Sequence, residues 1–134
     1  ALAGAAEKVT LRTLKAMDNP FVNCIAHPTG RLIGQREPMD LDIAAVIDHA
    51  AKTHTALEVN ANPQRLDLKD VHCKLAVEKG VKLAIGTDAH SAAALGLMSF
   101  GLATAARGWA TKTDVLNTFP LSKIRDFVRA KRPK

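Results

Sequence analysis

The sequence predicts an α/β fold built on parallel strands, and three observations carry that prediction. Apolar runs of strand length occur at Phe21–Ala26, at Thr55–Asn60 and over Val81, Leu83, Ala84 and Ile85. Segments with helical spacing of apolar residues separate them. The connections are short, and a strand that returns parallel to its neighbour needs a crossover, usually a helix. No repeat of fixed sequence and no low-complexity segment interrupts the alternation.

The first helix is expected over Ala5–Met17, with Ala6, Val9, Thr13 and Ala16/Met17 on one stripe and Leu11 and Leu14 widening it. Asp18-Asn19-Pro20 ends it, because proline disfavours helix in the residue before it. Phe21–Ala26 then reads as a strand that stops at His27, where Pro28-Thr29-Gly30 forces a turn. A charged loop from Arg31 to Pro38 follows. Asp40 is the expected N-cap of the second helix, whose buried face is Ile43, Val46, Ile47, Ala50 and Ala51. Thr55–Asn60 is the second strand, broken in its apolar pattern by Glu58. Asp67 reads as another N-cap, for a helix with Leu68, Val71, Leu75 and Ala76 on one side and Gly80 at its C′ position. Beyond the third strand, Ser91 is expected to cap a short helix, Ala92–Ser99, ending at Phe100-Gly101. Leu102–Ala106 reads as a last short strand, Gly108-Trp109 as a turn and Thr113 as the start of a helical turn. Leu121–Arg129 is the terminal helix, with Ile124, Phe127 and Val128 inward.

The 134 residues suffice for one domain with a real core, and 47% apolar with 24% charged content excludes a disordered chain. No apolar run approaches the ~20 residues of a membrane span, so no membrane association is expected. Charges arrive too early for a secretory signal, and the chain lacks an initiator Met, so a fragment or processed chain is expected. Net charge is +6, much of it from Lys123 to Lys134, which suits a polyanionic partner or a solvated tail equally. Cys24 and Cys73 form neither a Cys-x-x-Cys motif nor a disulfide framework, and a reducing cytoplasm is the expected setting.

Ligand-capable residues fall at or near the C-terminal ends of three successive strands. They are His27 after the first, Glu58 and Asn60 in the second, and Asp88 with His90 after the third. In parallel sheets and barrels, ligands and catalytic groups collect at that end. Asp88 and His90 stand two apart, so in an extended segment both would point the same way as a pair of metal ligands. Each has a plainer role open to it: His27 as a hydrogen-bonded structural histidine, Glu58 as a partner of Arg65, and Asp88 as a turn residue. His49, His54 and His72 read as surface or packing residues. Arg31 and Arg36 could clamp a phosphate, or be salt-bridged in their loop. Trp109 and the other aromatics read as core or lid rather than a base-stacking platform. No phosphate-cradling Gly-rich loop, Ser-His-Asp arrangement or Cys-based zinc site occurs.

Several blocks resemble a known family. They are His27-Pro-Thr-Gly-Arg31-Leu32, Arg36-Glu-Pro38, Ala56-Leu-Glu-Val-Asn-Ala-Asn-Pro63, Arg65-Leu-Asp-Leu-Lys-Asp-Val-His72, Thr87-Asp-Ala-His-Ser91, and Arg107-Gly-Trp109 with Asp114-Val-Leu-Asn-Thr118. Together they resemble the polymerase-and-histidinol-phosphatase (PHP) domain, in its version at the C-terminus of bacterial family X DNA polymerases. The resemblance runs from about Ala5 to Thr118 in kept order and spacing. It implies a distorted parallel βα barrel, TIM-like in build, of which this chain would be the C-terminal portion. Ala1–Thr118 would be the barrel portion, and Phe119–Lys134 a terminal helix and basic tail of the same single partial domain.

The resemblance further implies a mouth that holds divalent metal ions, manganese or zinc, with His27, Asp88 and His90 as ligands and Glu58 and Asn60 lining it. Arg31, Arg36, Arg65 and Arg107 would bind DNA phosphates. The implied chemistry is phosphoester hydrolysis, as 3′→5′ exonuclease and 3′-end processing in DNA repair. The implied partners are DNA 3′ ends, the polymerase core and the N-terminal half of the domain. The family's His-x-His motif and the Glu and further His that follow it are absent, so the fragment alone is expected to be inactive. Ala105-Ala-Arg107 carries one arginine where relatives often carry two, and His54 stands where a helix-ending glycine is common. The alternatives implied are a stand-alone phosphatase acting on a small phosphate monoester, and a degenerate domain that scaffolds or binds DNA.

Overall fold

The chain lays down alternating helices and strands, as the apolar spacing predicts. The computed structural model describes residues 2–134; Ala1, where the expected barrel portion begins, lies outside the described residues. In order they are α1 (Leu2–Asp18), β1 (Cys24–Ile25), α2 (Ile43–Thr53), β2 (Ala56–Asn60), α3 (Asp70–Glu78), β3 (Leu83–Gly86), α4 (Met98–Arg107) and α5 (Leu121–Ala130). Short 3-10 turns fall at Ala93–Leu97, Lys112–Asp114 and Leu116–Thr118. The three strands form one sheet in the order β1-β2-β3, every pair parallel. Cys24 pairs with Ala56, and Leu57 to Asn60 pair with Leu83 to Gly86. All three strands therefore end on one side of the sheet.

The central strand shows why that register is fixed. Ala56, Leu57, Val59 and Asn60 are all buried, so β2 is covered on both faces, as a central parallel strand must be. Met17 of α1, Val46 and Ile47 of α2, and Cys73 and Ala76 of α3 join Leu57, Val59, Leu83 and Ile85 in one core. Each large aliphatic side chain so buried contributes about 1.5–3 kcal/mol. Helix α4 lies closest to the sheet at Gly101, where a Cβ would sit 2.6 Å from Ile85 Cγ2 and 2.7 Å from Ala61 Cβ. Helix α5 crosses the opposite, N-terminal end of the sheet. Its Phe127 is buried and stacks on His54 at 4.4 Å between ring centroids. Lys131 Nζ donates to Val22 O and Thr55 Oγ1, both at 2.6 Å, just ahead of β1 and β2.

Several local expectations are corrected. The first strand shrinks from Phe21–Ala26 to Cys24–Ile25, because Asn19 holds the preceding turn: its Oδ1 accepts from Phe21 N and its carbonyl from Val22 N. Asp42, not Asp40, caps α2, its Oδ1 accepting from Ala45 N at 3.0 Å. Asp67 caps no helix; α3 begins after Lys69, and the Asp67 carboxylate is buried instead. Leu102–Ala106 is helical, inside α4, where Ala103, Ala105 and Ala106 favour helix and a five-residue apolar run does not distinguish the two states. The helix expected at Ala92–Ser99 is a 3-10 turn that runs on into α4, although Ser91 Oγ does accept from Ala94 N at 3.3 Å. Trp109 is not core: it is 75% exposed, with Lys74 Nζ 5.0 Å from its ring centroid. No helix among the described residues is long and apolar enough to cross a membrane.

Candidate functional site

The strands deliver their C-terminal residues to one edge, and the backbone there is unusual. Among the described residues five non-glycine residues have positive φ, and three of them, His27 (27°), Leu66 (42°) and Asp88 (54°), lie in the loops that leave β1, β2 and β3. Such conformations persist only where the surroundings hold them, and they gather at functional sites. Here the holding groups are visible. Glu58, whose side chain is carried by β2, accepts the His27 N–H at Oε2 over 2.6 Å. Gly86 of the neighbouring strand leaves the room, since a Cβ there would stand 2.8 Å from Glu58 Oε1. Asp67, fully buried, accepts from Thr29 N and Gly30 N at 3.0 Å each. Glu58 and Asp67 thus fix the loop after β1 from the loop and strand of β2.

Asp88 and His90 are joined, though not by the geometry the sequence suggests. Asp88 is left-handed rather than extended, a conformation aspartate tolerates, so alternation along a strand does not align the two side chains. The contact is local instead: His90 Nδ1 lies 2.7 Å from the Asp88 carbonyl. A carbonyl only accepts, so Nδ1 carries the hydrogen and a neutral ring presents its Nε2 lone pair outward. The His90 side chain is 88% exposed and that of Asp88 33%. The Asp88 carboxylate receives Asn60 Nδ2 at 3.2 Å and has Arg65 Nε at 3.6 Å. Arg65 therefore faces Asp88, not Glu58. Asn60, 1% exposed, is held in turn by Asn62 N, which donates to its Oδ1 at 3.1 Å.

The four arginines split. Arg31 Nε and Nη2 donate to the carbonyls of Arg65 and Leu66 at 2.6 Å, and Arg65 Nη1 returns a bond to Arg31 O at 3.3 Å. Arg36 wraps the Gly30 carbonyl with Nε at 3.0 Å and Nη2 at 2.7 Å. Among the described residues neither loop arginine is salt-bridged; both brace the loop after β1. Arg107 pairs with Asp70 at 3.1 Å, and that pairing, with the Val71 N–H, pulls the Asp70 carboxyl below its usual range. Of the histidines outside the strand ends, His49 bonds Asp18 at 2.7 Å, linking α2 to α1. Burial lowers the affinity of His54 and His72 for protons, helped by Lys131 and Lys82 at the first and Lys69 at the second.

The donor chemistry suits a divalent ion only in part. A carboxylate and an outward imidazole nitrogen stand together at Asp88 and His90, but a catalytic metal commonly takes three protein ligands. Among the described residues, no group of three or more His, Cys, Asp or Glu side chains could hold a metal ion. His27 and Glu58 share the edge, yet their contact runs from the His27 backbone. The described residues do not by themselves gather three such donors. The role of Asp67 was missed in the sequence, where it reads as a helix cap; α3 starts at Asp70 with no side-chain cap, and Asp67 holds the loop after β1 instead.

The chain is 46% identical over 124 residues to the DNA polymerase/3′-5′ exonuclease PolX of Bacillus subtilis (strain 168), a match that covers 92% of this chain and 22% of that protein. It is 29% identical over 134 residues to a protein named "Probable phosphatase" in Thermoanaerobacter sp. (strain X514), covering 96% of this chain and 52% of the relative. A protein of the same description in Thermoanaerobacter pseudethanolicus (strain ATCC 33223 / 39E) matches to the same degree. The chain thus spans about half the length or less of these curated relatives. No protein-family model matches it. With 46% identity along nearly its whole length, and the strand-end blocks within the matched region, the chain matches the C-terminal PHP region of a bacterial family X DNA polymerase.

Proposed function

We propose that this chain is the C-terminal part of a divalent-metal-dependent phosphoesterase domain in a family X DNA polymerase, acting as a 3′→5′ exonuclease in 3′-end processing during DNA repair. The observation that carries this reading is the shared strand edge, where Asn60 and Arg65 from β2 and its loop hold Asp88 beside His90. In it, Asp88 and His90, with His27, are ligands of a manganese or zinc centre, and Glu58 and Asn60 line the same mouth. The remaining ligands come from the preceding part of a longer protein, and this chain alone is inactive. Residues 1–118 form part of a distorted parallel βα barrel, followed by the terminal helix and basic tail. A bound divalent ion would supply charge neutralisation at phosphate oxygens. Within the chain, Arg65 and Asn60 orient Asp88, the His90 Nδ1 bond sets the tautomer, and Arg31, Arg36, Arg65 and Arg107 meet DNA phosphates. The protein with its longer chain should digest a 3′-ended DNA strand with manganese much faster than it hydrolyses a small phosphate monoester.

The name of the Thermoanaerobacter relatives favours a second reading, a phosphatase acting on a small phosphate monoester. A preference for the monoester over DNA in the same assay would select it. The incomplete donor set favours a third, a domain that only scaffolds or binds DNA. Absence of any manganese-dependent hydrolysis would select that one.

A further inference from the structure

Three of the cations on this chain converge beside the loops that leave β1 and β2. Arg31, Lys69 and Arg107 line one cavity of about 270 Å³, together with Leu66, Asp70 and Thr104. Three elements supply them: the loop after β1, the start of α3 and the C-terminal turn of α4. Arg31 is fixed by its two carbonyl bonds at 2.6 Å, so its position needs no ligand to order it. Lys69 makes no ion pair among the described residues and occupies the N-cap position of α3 without a side-chain cap. The positive end of that helix adds to the three cations.

A second, smaller cavity of about 40 Å³ shares Arg31 and Lys69 with the first. Two of its lining atoms, Thr29 Oγ1 and His72 Nδ1, are buried without a hydrogen-bond partner, and Thr29 is only 6% exposed. Buried polar groups are normally satisfied, so the unpartnered pair marks a place where something polar belongs. Among the described residues that line the larger cavity, Asp70 is the one anion. Its Oδ2 holds Arg107 Nε at 3.1 Å, while its Oδ1 caps Val71 N at 2.8 Å.

We infer that the Arg31–Lys69–Arg107 cavity is a phosphate subsite for a nucleic-acid strand, in which Asp70 holds Arg107 in place until a phosphate takes it over. The inference rests on the proposed nucleic-acid reading, and adds Lys69 and Asp70 to the residues the sequence singled out. Planar guanidinium groups suit phosphate binding, and Lys69 adds a point charge. Asp70 competes with an incoming phosphate for Arg107, so its charge opposes binding.

The test needs no metal and no turnover. Binding of the thymidine dinucleotide pTpT to the 134-residue chain is measured by calorimetry in EDTA, with amide shifts mapped by NMR. TpT and inorganic phosphate serve as comparison ligands. Lys69→Ala and Arg107→Ala should each weaken pTpT about tenfold, as expected for loss of a charge-assisted contact. Asp70→Asn should tighten it roughly threefold by removing the competing anion. Lys123→Ala, an equal charge change on α5, should leave it unchanged. Arg107→Lys and Lys69→Gln provide the same comparison should either alanine variant lose its fold. The inference is overturned if Lys69→Ala and Lys123→Ala act alike, if Asp70→Asn weakens binding, or if TpT or inorganic phosphate binds as tightly as pTpT. Because hydrolysis is not measured, loss of metal-dependent activity elsewhere in the protein would leave this result untouched.

Discussion

At the residue scale the decisive group is Asp67. Its carboxylate is fully buried and accepts backbone N–H groups from Thr29 and Gly30, which places the loop carrying Arg31 against the loop carrying Arg65. Charge-assisted bonds of this kind contribute about 1.5–3 kcal/mol, and removing the acceptor leaves buried donors unpaired. Asp67→Ala should therefore destabilise the fold by about 3 kcal/mol in urea unfolding, more than Asp40→Ala, whose side chain is exposed. Asp67 was visible in the sequence but not its task, because an aspartate before a helical pattern reads equally well as a cap. Asp88 and His90 were legible as a pair from type and position. Their actual contact was not, since it depends on a left-handed φ at Asp88 that spacing does not encode.

At the scale of elements, existence was easier to read than extent. Helices α1, α2, α3 and α5 and the strands β2 and β3 lie where apolar spacing predicts them, because packing and period agree there. Strand β1 is shorter than its run because the Asn19 turn claims the first residues, and helix α4 was misjudged because a short, largely apolar run fits either state. Two elements offer sharp tests. Gly101→Ala should destabilise by about 1–3 kcal/mol, since the new methyl meets Ile85 and Ala61 in a closed contact. His54 closes α2 in the left-handed conformation at φ 55° and stacks on Phe127 of α5.

The pH dependence of stability has a definite sign. The folded protein lowers the proton affinity of both His54 and His72 below the ordinary value of 6.5. As pH falls through that value, the unfolded chain takes up protons first, so these two residues destabilise the fold increasingly below about 6.5 and have no such effect above it. Melting temperature should fall between pH 7.5 and 5.5. His54→Gly relieves the left-handed backbone but loses the ring contact, so its effect at pH 7.5 should be small while the acid-induced drop shrinks. An unchanged drop in the variant would remove His54 from the explanation.

At the scale of the whole molecule, the sheet has one sealed edge. Asn117 donates to Ile85 O at 2.9 Å and accepts from Ile85 N at 2.8 Å, so its amide stands in for a further strand beside β3. Asn117→Ala should cost about 1–2 kcal/mol and raise amide exchange at Ile85. The α/β class and the gathering of polar residues at the strand ends were legible because parallel connectivity dictates both. The barrel that the resemblance implies goes beyond the described residues, which form one three-stranded parallel sheet. The same limit governs the metal: this chain places Asp88 beside His90 but does not gather three donors among the described residues. Manganese should accordingly bind the chain alone only weakly, with calorimetric affinity far below that of the longer protein.

The most direct measurement compares Asp88→Ala with the unaltered sequence in the longer polymerase protein, following manganese-dependent 3′→5′ digestion of an end-labelled DNA strand. The proposed function predicts a loss of about 100-fold or more, with polymerase activity and melting temperature preserved. Digestion at the unaltered rate would contradict the assignment of this strand edge to phosphoester hydrolysis.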